Sequence, residues 1–147
     1  MLSRSTHVFS QLFLHINWHC ANDERLIEPR VEKPLFEYLK NYCTKCKGVK
    51  FLGGGGTEDH VHLVIQVEPF ICSSEFIGKL KGASSHDLNK LLGADTLHWQ
   101  RGYGVLSFTR RDLEAVLKYV ANQKEHHGRG NIKVAMERCD AEWKEKE

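Results

Sequence analysis

The sequence has no apolar run of the roughly 18 residues that a bilayer crossing needs, which excludes a membrane-spanning helix. Its first residues, Met1-Leu-Ser-Arg-Ser-Thr6, contain neither an apolar h-region nor a small-residue cleavage site, so no secretory leader is expected and a cytoplasmic location is. Neither charge predominates: 21 Lys and Arg stand against 19 Asp and Glu, a net of +2 with nine His counted neutral. That balance neither demands nor excludes a polyanionic partner, and any basic surface must be local. A second Cys-x-x-Cys is missing, so Cys43-Thr-Lys-Cys46 has too few ligands for a zinc ribbon and reads as two thiols near a helix end. The five cysteines are odd in number and no leader is expected before them, so reduced thiols are expected. Repeats and low-complexity tracts are absent too. What is present is a globular composition, 41% hydrophobic and 27% charged over 147 residues, enough for one self-sufficient domain.

Periodicity predicts β-α-β-β-α-β-α. His7 to Trp18 alternates as a strand and Asn22-Asp23 ends it. Pro29 opens a helix to about Lys47, with Val31, Leu35, Tyr38, Leu39 and Tyr42 on its apolar face, so both tyrosines read as core. Val49 to Leu52 is a short strand, and Gly53 to Gly56 is expected to turn the chain into a second strand, His60 to Val67. Ser73 or Ser74 can cap a helix through about Leu91, and Val105 to Phe108 reads as a last strand. Thr109 with Asp112 forms a near capping box for a helix to about His126. The expected class is α+β, a ferredoxin-like mixed or antiparallel sheet with helices on one face. Residues 1–127 form a single domain in this reading, and 128–147 a charged tail that is loose or partner-dependent.

Two constellations carry chemistry. In His60-Val61-His62 the alternation of a strand sends both imidazoles from one face, about 7 Å apart along the backbone. Their ring nitrogens can converge on one metal ion; the alternative is a pair of solvated histidines. A third alternating histidine, as nucleotide hydrolases use, is replaced by Val64. On the last helix, Tyr119 and Gln123 are four residues apart and share a flank. A phenol and an amide can there face one ion or phosphate, or form a core edge beside a solvated Gln. His7, His19, His86 and His98 receive no role.

Together these residues resemble the single-tyrosine HUH transposases, which cut and rejoin single-stranded DNA, and their REP-associated tyrosine transposase relatives. Asp59-His-Val-His-Leu-Val-Ile65 is similar to the family's His-hydrophobic-His strand, and Leu80-Lys-Gly-Ala-Ser-Ser85 to its Lys-Gly-x-Ser-Ser helix. Trp99-Gln-Arg-Gly-Tyr-Gly104, leading to Ser107, resembles the segment before the tyrosine helix, and Tyr119-Val-Ala-Asn-Gln123 with His126-His127 resembles that helix. His15-Ile-Asn-Trp18 fits the first strand more loosely. Glu58 stands where the family usually has Pro, and the glycine run is longer than usual.

The resemblance implies the HUH nuclease fold. It implies that His60, His62 and Gln123 hold Mg²⁺ or Mn²⁺, and that Tyr119 attacks DNA to leave a 5′-phosphotyrosine and a free 3′-hydroxyl. It also implies hairpin or single-stranded DNA at element ends as substrate, and a homodimer. Lys79, Lys81, Ser84, Ser85, Arg101, Arg110 and Arg111 are candidate phosphate contacts, with Tyr103 and Trp99 as stacking platforms. Lys118 and Lys124 add charge nearby. No general base for Tyr119 stands out; His126 lies on a similar helical face. Two other readings remain: a domesticated relative that binds hairpin DNA without cutting, and a metal-dependent phosphoesterase with Tyr119 as bystander.

Overall fold

The computed structural model describes residues 7–128 and 133–139. Four strands, β1 (Leu12–His19), β2 (Val49–Gly56), β3 (His60–Val67) and β4 (Gly104–Phe108), form one sheet in the order β2-β3-β1-β4. Every pairing is antiparallel. That strand order with two helical crossovers is the ferredoxin-like arrangement the sequence predicts, and the sheet is antiparallel throughout.

Helices α1 (Pro29–Lys45) and α2 (Ser73–Leu92) cover one face. Pro29 sits in the first turn of α1, where its missing N–H costs nothing. From there Val31, Leu35 and Leu39 point inward at helical spacing, and meet Ile77, Leu80 and Leu88 of α2 over Ile16 and Trp18 of β1 and Val61, Leu63 and Ile65 of β3. All of these side chains are buried. Gly93 in the left-handed conformation (φ 67°) ends α2. Neither Ser73 nor Ser74 caps α2; Cys72 occupies the N-cap position, without a side-chain cap bond.

The expectation that the helices share one face is not met by the last of them. Helix α3 (Leu113–Ala121) lies on the opposite face, and this explains why β3 is buried on both sides. The glycine run, expected as a turn, instead continues β2 to Gly56, with a bulge between Phe51 and Gly53. A Cβ on Gly55 would lie 2.0 Å from the Val120 carbonyl oxygen, and one on Gly53 would lie 2.8 Å from the Leu117 side chain. The missing side chains let a helix backbone settle onto the strand.

The long final helix expected from Thr109 is divided. A 3-10 turn (Arg110–Asp112) leads into α3, the backbone breaks at Asn122 (φ −106°, ψ 30°), and α4 (Gln123–Gly128) follows. Thr109 makes no side-chain cap. Within the expected tail, Val134–Glu137 forms one further turn, α5, against β1 and β4. No described helix is long and apolar enough to cross a membrane.

The close approach at β2 predicts opposite outcomes for two glycines. Gly55→Ala should lower stability by about 1–3 kcal/mol, because the new Cβ meets backbone that cannot yield. Gly78→Ala, at an exposed position in α2 with nothing within 4 Å of the new Cβ, should raise it by about 0.5–1 kcal/mol. Urea unfolding midpoints measure both, and a neutral Gly55→Ala would remove the glycine's structural role.

Candidate active site

Alternation along β1 and β3 places Phe13, His15, Asn17, His60 and His62 on the face that α3 covers. His60 and His62 are 1% and 0% exposed, so the solvated reading of the pair does not apply. Each ring is held from behind. The Nδ1 of His60 lies 2.6 Å from Asp59 Oδ1 and 2.8 Å from the Thr57 hydroxyl, which itself donates to Asp59 at 2.9 Å. The Nδ1 of His62 lies 2.7 Å from the Nε2 of buried His15. Both Nε2 atoms therefore face forward, into the space under α3 and α5.

Three side chains fill that space. Gln123 Oε1 is 3.3 Å from His60 Nε2, while its Nε2 donates to the Tyr119 carbonyl at 3.2 Å. The expected Tyr119/Gln123 pairing thus survives the helix break between them. The Tyr119 ring stands edge-on to His62 with centroids 6.1 Å apart. Its hydroxyl donates to Glu137 Oε1 at 2.7 Å and accepts from the Lys133 backbone N–H at 2.9 Å. The second oxygen of Glu137 lies 3.0 Å from His62 Nε2 and 3.6 Å from His60 Nε2. Donor atoms of His60, His62 and Glu137 all lie within 4.8 Å of one another, a grouping able to hold a metal ion.

Electrostatics follow from burial and these bonds. Burial and the neighbouring His62 push the His15 pKa down to about 3, so His15 is neutral. Burial opposes a charge on His60, but the Asp59 hydrogen bond and nearby Glu137 outweigh it and leave its pKa raised. The His60 hydrogen bond holds Asp59 at about 2. Burial works to raise Glu137, yet its contacts with His62 and Tyr119 carry it down to about 2. Tyr119 is pushed up to about 12, chiefly by burial; the Lys133 N–H opposes this and the Glu137 carboxylate adds to it.

Other candidates fare differently. Lys81 is committed to the carbonyls of Gln100 and Gly102, each at 2.7 Å, and burial lowers its pKa. Ser84 is buried, donates to the Lys81 carbonyl and accepts from Trp99 Nε1 at 2.9 Å; Ser85 also turns back to Lys81. Lys81 and Ser84 hold the segment before β4, Ser85 bonds within its own helix, and none of the three is turned outward to a phosphate. Tyr103 is half-buried against the core. Lys79, Arg101, Arg110 and Arg111 are exposed, with the Arg110 guanidinium 5.2 Å above the Phe13 ring. Tyr38 donates to Asp87 at the edge of the core. The His126 side chain lies outside the described residues. Sequence reasoning passed over His15, whose place on the His60 face was readable from alternation, and Glu137, for which no local signal existed.

Sheet order, buried His pair and helix-borne tyrosine together are those of a single-tyrosine HUH transposase. The family model described as Transposase IS200 like matches residues 8–123, and the chain belongs to that family. It is 25% identical over 131 residues to the transposase for insertion sequence element IS200 of Salmonella typhimurium, covering 79% of this chain and 84% of that one. The same identity and coverage relate it to the IS200 transposase of Salmonella typhi. Its fold is similar to that of a Deinococcus radiodurans R1 protein assigned as a transposase, with a TM-score of 0.66 at 20% identity, over 82% of this chain and 97% of that one. A REP-associated tyrosine transposase bound to a REP hairpin shares the fold with a TM-score of 0.59 at 10% identity, over 88% of this chain and 76% of that one.

Neutral His15 predicts a pH effect. The unfolded chain takes up a proton near the ordinary value of 6.5, whereas the folded chain resists it until about 3. Stability is therefore lost as pH falls through that interval. In EDTA, the stability difference between wild type and His15→Gln should narrow by about 1.4 kcal/mol per pH unit between roughly pH 6 and pH 4. Parallel curves in urea titrations would remove the neutral His15.

Proposed function

We propose that this transposase cleaves and rejoins single-stranded DNA through a covalent 5′-phosphotyrosine on Tyr119, with a divalent ion held by His60, His62 and Gln123. One observation supports this most: residues from β3, α3 and α4 put two imidazole Nε2 atoms, an amide oxygen and a phenol into one buried site within a single chain. The donor set suits a divalent cation, because both rings are braced through Nδ1 and offer Nε2. Bound there, Mg²⁺ or Mn²⁺ would supply charge stabilisation and orientation at the scissile phosphate.

The chain's own groups carry the remaining chemistry. Tyr119 Oη attacks phosphorus, the P–O3′ bond breaks, and the departing 3′ oxygen takes up a proton. Rejoining reverses these steps with a 3′-hydroxyl as nucleophile, so the bond energy is retained in the phosphotyrosine. Ionising the phenol is the obstacle. With its pKa near 12, the phenolate costs about 7 kcal/mol at pH 7. The Lys133 N–H on the phenol oxygen and the Lys133 ammonium 5.7 Å from the ring centroid both favour the ionised form. Exposed Lys79, Arg101, Arg110 and Arg111 are available to the strand's phosphates. Hairpin DNA at element ends is the substrate in this reading, and two copies form the working assembly.

Labelled single-stranded oligonucleotides from the DNA flanking the gene test it. On denaturing gels, wild type with Mg²⁺ or Mn²⁺ should retain label on the protein. Tyr119→Phe should abolish the adduct while keeping DNA binding. His62→Ala should reduce it at least about a hundredfold, given the several kcal/mol that metal stabilisation contributes. An adduct formed by the Phe variant would refute the nucleophile. Binding without any adduct, with either metal, would establish the non-catalytic hairpin-binding reading instead. Sedimentation of a fully active monomer would remove the dimer.

A further inference from the structure

We propose that Glu137, carried by α5 outside the family-matched residues, is an additional ligand of the divalent ion and at the same time positions the Tyr119 hydroxyl. The inference rests on the metal-dependent reading above and extends it to a residue of the C-terminal segment.

Geometry is the first support. Adjacent donors around a metal with bonds near 2.1 Å lie about 3.0–3.4 Å apart. Glu137 Oε2 lies 3.0 Å from His62 Nε2 and 3.6 Å from His60 Nε2, and Gln123 Oε1 lies 3.3 Å from His60 Nε2. Two of these separations fall within that range and the third exceeds it by about 0.2 Å, a shift that small side-chain movements can make up. Charge is the second. Two imidazoles and an amide bring no negative charge, whereas Mg²⁺ and Mn²⁺ favour carboxylate oxygen. Glu137 is 5% exposed and is the one carboxylate turned toward both imidazoles among the described groupings that include His62.

The third support is that the position is built. Asn17 Nδ2, from the same sheet face, donates to the carbonyls of Met136 at 3.0 Å and Arg138 at 3.1 Å, the residues on either side of Glu137. Gly104 leaves room for this segment, since a Cβ there would lie 1.9 Å from the Arg138 carbonyl oxygen. Held this way, Glu137 turns one oxygen toward both imidazoles and the other to the phenol.

Mn²⁺ titration of the full chain, followed by the EPR signal of free Mn²⁺, tests the assignment without any activity measurement. Wild type should bind one ion per chain. Glu137→Gln, which keeps the side chain's shape, should weaken binding at least about tenfold, and Glu137→Ala as much or more. Exposed Glu114→Gln should bind like wild type, and His62→Ala should lose the site. Urea midpoints in EDTA separate ligand loss from unfolding, and the Co²⁺ visible spectrum of the Gln variant should shift from that of wild type. Unchanged Mn²⁺ affinity in Glu137→Gln, with His62→Ala defective, would overturn the ligand while leaving the metal site standing. Tighter binding in Glu137→Gln would overturn it too, by showing that the carboxylate keeps the ion out. Absence of binding in wild type would overturn the metal-dependent reading, and this ligand with it.

Discussion

An imidazole buried in a sheet must find partners for two ring nitrogens that cannot both donate while the ring is neutral, and most of the site follows from this. With Glu137 ionised, it can only accept, so His62 donates to it through Nε2 and accepts at Nδ1 from His15 Nε2. His15 is then left with a bare Nδ1 lone pair, and that atom has no partner among the described residues. A lone acceptor is a smaller loss than a lone N–H. If His62 Nε2 instead offers its lone pair to a cation, both protons shift along the row, and His62 donates through Nδ1 to His15. Neutral His15 can take either role, which a permanently charged or apolar neighbour could not, but in the second its own proton sits on the partnerless Nδ1, the costlier arrangement.

The second requirement is proximity. A helix side chain such as Tyr119 reaches the sheet-borne histidine pair only if the helix lies unusually close to the sheet. Gly53 and Gly55 provide that closeness, at the cost of strand propensity and chain entropy. The same approach buries Tyr119 and Val120 and so recovers apolar contact. Asn122 then breaks the helix, and Gln123 turns its amide oxygen to His60 while still bonding to Tyr119. Packing of the layer and placement of the chemistry are thus one feature.

How much of this was legible depended on range. Strand alternation alone set His60 and His62 on one face and Val61, Leu63 and Ile65 on the other, because period 2 is a local property. The spacing of Tyr119 and Gln123 was local as well. The glycine run reads as a turn because Gly in isolation marks one, and only the distant α3 explains its place in β2. Ser84 and Lys81 carried the chemistry of phosphate contacts, yet a tertiary neighbour decides where each side chain turns, and Trp99 and the Gln100 and Gly102 carbonyls claimed them. Glu137 was the least legible. Amid charged neighbours it resembles a solvated tail residue, and its anchor, Asn17, lies about 120 residues away in sequence.

The position of Glu137 also sets the state of the phenol. A carboxylate 2.7 Å from the Tyr119 oxygen stabilises the hydroxyl as a donor and opposes a negative charge there, so it adds to burial in raising the phenol's pKa. The Lys133 N–H, on the residue immediately before α5, works in the opposite sense on the same oxygen. One short segment thus brings both an opposing charge and a supporting donor to the Tyr119 hydroxyl. When its own charge is compensated, Glu137 ceases to oppose the phenolate, while the Lys133 contribution is unaffected. On the proposed mechanism, ionisation of Tyr119 would then be favoured by completion of the site. That ordering would let the proposed covalent intermediate form only with a strand in place, and would make a segment beyond the family's matched residues part of the chemistry.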